Sequence, residues 1–99
     1  MNLDTAVGMY WDENGFTDIL WGEIKAAAAE HGWDKVPLNP EMTDFERYKI
    51  IMEEIMEYIR SATYDGQEKF DMDKELLQVC AMTGAAYMGR NLSPTEKEI

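Results

Sequence analysis

Two short polar pairs lie inside otherwise apolar stretches of this chain. Glu54 and Glu57 sit in EEIMEYIR, residues 53–60, and Glu75 and Gln78 sit in KELLQVCA, residues 74–81. Members of each pair are three residues apart, so on a helix they project from one side, about a turn apart. Oxygen-bearing side chains presented in this way by two facing helices can hold a hard cation inside a bundle. Magnesium is the natural candidate, because it takes oxygen ligands and keeps waters and phosphate oxygens in its shell. At about 100° per residue, Glu54 and Glu57 share a side with Ile50 and Ser61. An isoleucine one turn before Glu54 implies that this side is covered. A carboxylate held between packed helices is costly unless a cation, a basic partner or a proton compensates it. Glu75 and Gln78 are followed on their side by Met82 and Ala85, which should be buried. The same four residues also fit a solvated acidic face, since such pairs are common in a chain with 20 acidic and 9 basic residues.

Other residues offer supporting chemistry, each with a plainer alternative. Arg47, Lys49 and Arg60 are the basic residues near the acidic pair. They are candidates for phosphate contact and equally for ion pairs along their own helix. Trp11, Trp21 and Trp33 offer faces for stacking on a base, although packing in a core or interface is the commoner use of large aromatics. His31 falls at the expected end of a helix, where an imidazolium interacts favourably with the dipole. Cys80 stands alone, so it makes no internal disulfide, and its apolar surroundings in sequence predict a buried, inert thiol. The run Asp71-Met72-Asp73-Lys74-Glu75 opens like a calcium loop, but Leu76 occupies the sixth position where glycine is required, which excludes it.

The elements that position these residues read as helices. Only three valines are present and no alternating β-branched pattern appears, so the fold class is all-α. A first helix over 16–31 follows the Asn14-Gly15 turn, carries Phe16, Ile19, Leu20, Ile24 and Ala27 at helical spacing, and stops at His31-Gly32. Residues 1–13 fit more than one state. Pro37, Asn39 and Pro40 mark an irregular connector. A second helix over 43–63 has a capping box, with Thr43 as cap and Glu46 three residues on. Its apolar stripe is Phe45, Tyr48, Met52, Ile55, Ile59 and Ala62, the spacing of a bundle helix. A polar linker leads to a third helix over 71–89, with Asp71 as its candidate cap and Asp73 and Glu75 near the positive end of its dipole. From Leu76 to Met88 that helix is apolar nearly all round, and Gly84, Ala85 and Ala86 admit a close neighbour. Three helices of a small chain cover such a helix poorly, which predicts a bundle completed by a homodimer. A mobile polar tail is expected over 91–99.

Length and charge bound what the molecule can do. A chain of 99 residues makes one small domain, expected over 1–90, burying roughly 60–65% of its unfolded surface. A formal charge of −11 repels phosphate backbones, so direct nucleic-acid binding is not expected, while cations or a basic protein partner fit. The uncharged run over 76–89 is shorter than the roughly 20 residues of a membrane span, and Asp4 stands where a signal peptide carries basic residues. A soluble, cytoplasmic protein is expected.

The segment FERYKIIMEEIMEYIRSA followed by KELLQVCAMTGAAY resembles the MazG-like all-α nucleotide pyrophosphohydrolases, particularly the short phage-encoded members. That family carries EExxE on one helix and ExxD on the next, and its acidic residues bind magnesium to hydrolyse nucleoside triphosphates to monophosphates and pyrophosphate. The resemblance spans about 40 of the 99 residues and is loose over the first 40, where Trp21-Gly22 is its main trace. EEIME matches the first motif. The resemblance therefore implies ligand roles for Glu54 and Glu57, with Glu53 as a neighbouring acid, and makes Glu53 and Glu54 the candidates for positioning or deprotonating the attacking water. ELLQ matches the second motif at Glu75 but places Gln78 where the aspartate stands. An amide oxygen can ligate a hard cation, yet losing a carboxylate removes one negative charge and weakens the site. Two functions follow: a magnesium-dependent pyrophosphohydrolase, weakened or lost through Gln78, or a non-catalytic acidic protein, phage-type, that binds a basic host protein surface.

Overall fold

A computed structural model describes residues 1–63 and 69–92, and among them there are four α-helices and no strand. The expected linker over 64–70 and tail over 91–99 fall largely outside the described residues. The helices are α1 (Leu3–Gly8), α2 (Phe16–His31), α3 (Asp44–Thr63) and α4 (Lys69–Leu92). A single π-helical turn, Met9–Glu13, follows α1, and a 3-10 turn, Trp33–Lys35, follows α2. Residues 3–13 are thus helical, with Asn2 capping α1 by accepting from the Thr5 N–H at 2.9 Å.

Helix α2 starts and stops where its turn residues dictate. Gly32 ends it at φ 94°, a conformation that costs a side-chain-bearing residue strain, while its N–H closes the last turn on the Ala28 carbonyl at 3.0 Å. The capping box of α3 is formed: the Glu46 N–H donates to Thr43 Oγ1 at 3.1 Å and the Thr43 N–H donates to Glu46 Oε1 at 3.4 Å. Helix α4 begins before Asp71, which therefore lies inside its first turn and does not cap it, and it continues three residues past the expected end at Gly89.

Helix α4 is the element on which both α2 and α3 pack. The core joins Ile24 of α2, Val36 of the connector and Ala81, Met82 and Ala85 of α4, with Leu20, Ala27, Leu38 and Ile50 against it. Small side chains on α4 let its neighbours approach, and the connector comes closest. A Cβ on Gly89 would stand 2.8 Å from the Leu38 carbonyl carbon, so only glycine fits there. Pro37 is among the most fully buried side chains. The connector is irregular, as its prolines require, and its middle is packed inside, with Val36, Pro37, Asn39 and Met42 buried.

The largest departure from the sequence pattern is the orientation of α3. Its apolar stripe faces outward: Phe45, Tyr48, Met52, Ile59 and Ala62 are exposed and only Ile55 is half-buried. The covered side carries Arg47, Ile50, Glu54, Tyr58 and Ser61. Arg47 explains part of this inversion, since its buried guanidinium donates from Nε to the Pro37 carbonyl at 3.0 Å and from Nη2 to the Asn39 carbonyl at 2.8 Å. Carbonyls in the buried part of the connector need donors; Arg47 supplies one to Pro37 and, beside the Met42 N–H at 3.1 Å, a second to Asn39. Asp44 then ties the start of α3 to Arg47 at 3.4 Å and to Arg90 on α4 at 3.2 Å. One further expectation is corrected: Cys80 is exposed on α4 and not buried. Trp11, Trp21 and Trp33 are about half exposed and stand outside the core, which leaves an interface as their packing role.

Candidate metal centre and adjoining cavity

The inward turn of α3 brings its acidic pair against the start of α4. Oxygens of Glu54, Glu57 and Glu75 all lie within 4.8 Å of one another. Glu54 and Glu75 are half-buried and Glu57 is exposed, so the trio opens to solvent on one edge. Glu54 Oε2 is buried and accepts no hydrogen bond from the described residues. Burial pushes the Glu54 carboxyl up from 4.5 to about 7, and the neighbouring charges of Glu57, Glu75 and Glu53 add to the rise, while His31 opposes it.

These features meet the requirements of a hard divalent cation. Three carboxylates crowded into one space repel one another as anions, and the remedies open to them are a proton or a cation. The donors are all oxygens, which suits magnesium, and the exposed edge leaves room for waters or phosphate oxygens. Residues present therefore fit the ion that the sequence implied.

Beside the trio lies a cavity of about 600 Å³ between α2 and α3, floored by α4. Glu54 and Gln78 both line it, so Gln78 stands at the cavity next to the acidic trio. Glu53 and Lys49 line it from α3, and Glu23, Glu30 and His31 line it from α2. The connector contributes Lys35, which no spacing in the sequence singled out because it reaches the site only through the packed path of the chain. Lys49 thus keeps a place where a phosphate could reach it, although its ammonium also lies 5.8 Å from the Phe45 ring centre. The other basic and aromatic candidates do not gather here. Arg47 is committed to the connector carbonyls, Arg60 is exposed and does not line the cavity, and Trp21 lies elsewhere on α2 with the Lys25 ammonium 5.6 Å from its ring centre. His31 ends α2 as expected and, besides, approaches Glu30 at 3.7 Å.

No family model, curated protein or solved structure matches the chain.

Proposed function

We propose that this protein is a MazG-like nucleotide pyrophosphohydrolase that uses magnesium to hydrolyse nucleoside triphosphates to monophosphates and pyrophosphate, and that it acts as a homodimer. The observation that carries this reading is the trio Glu54, Glu57 and Glu75, converging from two helices within 4.8 Å beside a cavity of about 600 Å³. Glu54, Glu57 and Glu75 would hold the ion, with the Gln78 amide oxygen as a neutral fourth donor. Bound there, the ion would neutralise negative charge on the phosphates. Lys49 and Lys35 line the same cavity and supply positive charge to orient a polyphosphate. Glu53 lines the cavity next to Glu54 and would be the carboxylate that orients or deprotonates a water. Gln78 lowers the negative charge of the site, so slow turnover is expected.

A magnesium titration with a panel of nucleoside triphosphates, followed by pyrophosphate release, tests this. Release that requires magnesium and disappears in Glu54→Ala and Glu57→Ala is the expected result. Calorimetry that detects no binding of metal or any nucleotide overturns it.

A second reading rests on Gln78 and the charge of −11: a non-catalytic acidic protein on the same scaffold that binds a basic protein surface. Such binding weakens steeply with salt. Capture of a basic protein at low salt that persists unchanged at high salt would count against it.

A further inference from the structure

The side of α3 that carries Glu54 and Glu57 has a counterpart on the opposite side of the same helix. Phe45, Tyr48, Met52, Met56 and Ile59 are between 37% and 70% exposed. At about 100° per residue, all five project within about 40° of Met52, directly away from Glu54 and Ser61.

We propose that this stripe is the contact face of a two-fold homodimer in which the two α3 helices run antiparallel and cross at Met52. A closed two-fold interface must be complementary to itself, and the spacing of the stripe has that property. Successive intervals of three, four, four and three residues read the same in both directions from Met52. Antiparallel α3 helices therefore set Phe45 against Ile59 of the second copy, Tyr48 against its Met56, and Met52 against its own equivalent. Met56 belongs to this face and Ile55 does not, which is where the exposed stripe differs from a simple heptad pattern.

Charge selects the antiparallel arrangement and the occupant. Asp44 and Glu46 stand in the first turn of α3 and Arg60 in its last. Parallel helices would lay acid on acid, whereas antiparallel ones bring the acidic end to the basic end and also oppose the two dipoles favourably. Lys49 and Arg60 border the stripe at helical spacing, which disfavours a basic protein on this face. At about 200 Å² for a large side chain, the exposed fractions amount to roughly 500 Å² of apolar surface. That is the apolar centre of an interface of about 800 Å² a side.

Because stripe and metal site point in opposite directions, the dimer leaves both cavities open, and the interface stands whether or not the magnesium reading does. Sedimentation should give twice the 11.4 kDa chain mass. Met52→Glu puts two carboxylates on the axis and should raise the dissociation constant by roughly 100-fold or more, with helical circular dichroism retained. In a Cys80→Ser background, Met52→Cys should cross-link to itself, and Phe45→Cys should cross-link to Ile59→Cys but not to itself. A wild-type monomer at 100 µM scale overturns the proposal. So does efficient self-cross-linking of Phe45→Cys, the mark of parallel helices, or a dimer that tolerates Met52→Glu and does not cross-link through position 52.

Discussion

If the acidic trio holds magnesium as proposed, Gln78 is the residue on which the strength of the site turns. It lines the cavity that Glu54 also lines, and under the proposed magnesium reading its amide would stand where a tight site carries a fourth negative charge. Gln78→Glu should strengthen magnesium binding about tenfold, some 1.4 kcal/mol; unchanged affinity in calorimetry would show that position 78 does not face the ion. Glu54 gives a second prediction, in the metal-free protein. Its carboxyl holds a proton to about 7 when folded and to 4.5 when unfolded. Between those values the folded state binds more protons, so the stabilisation from this group is complete below 4.5 and is lost as pH rises through about 7. Denaturant titrations should show stability falling from pH 5 to pH 8, and Glu54→Gln should flatten that fall. Because the side chain is only half-buried, the gain of the variant at pH 8 is about 1 kcal/mol. Unequal pH slopes would be absent if the trio were solvated.

At the scale of elements, the connector over 33–43 decides how α3 sits. It is packed between α3 and α4, with Arg47 bonded to its carbonyls and Gly89 against its backbone. Arg47→Met should destabilise the fold by about 3 kcal/mol, because two buried carbonyls lose their charged donor. Gly89→Ala should cost about 2 kcal/mol through overpacking, with the Leu38 backbone as the obstacle. Urea denaturation checks both, and a cost under about 0.5 kcal/mol for either would mean that the connector is not held as described. Helix limits were largely legible from local chemistry: the turn at Gly15, the stop at Gly32 and the Thr43–Glu46 box all act within a few residues. The start of α4 was not, since Asp71 is as good near the beginning of a helix as at its cap.

At the scale of the molecule, ligand binding should appear as stability. Magnesium with a nucleoside triphosphate at about 100 times its dissociation constant adds about 2.7 kcal/mol, which for a domain of this size raises Tm by about 10 °C or more. A chelator should reverse the shift, and Glu54→Ala or Glu57→Ala should abolish it. A shift that survives in both variants would place the ligand elsewhere.

The sequence by itself determined the helical class, most helix ends and the two polar pairs, because each depends on residues three or four apart. It also implied, through Ile50 beside Glu54, that the acidic side of α3 is covered. The apolar stripe pointed the other way, and only the tertiary structure decided between the two sides of α3. Hydrophobic periodicity locates an apolar stripe but does not say what covers it, and here the donors of Arg47 and the carbonyls of the connector hold the polar side inward. That one rotation joins Glu54 and Glu57 to Glu75 and leaves Phe45, Met52 and Ile59 on the surface, while the packed path of the connector brings Lys35 to the cavity from a segment with no pattern of its own. Contacts between segments far apart in the chain leave no local period to read, so the convergence of the site had to come from packing.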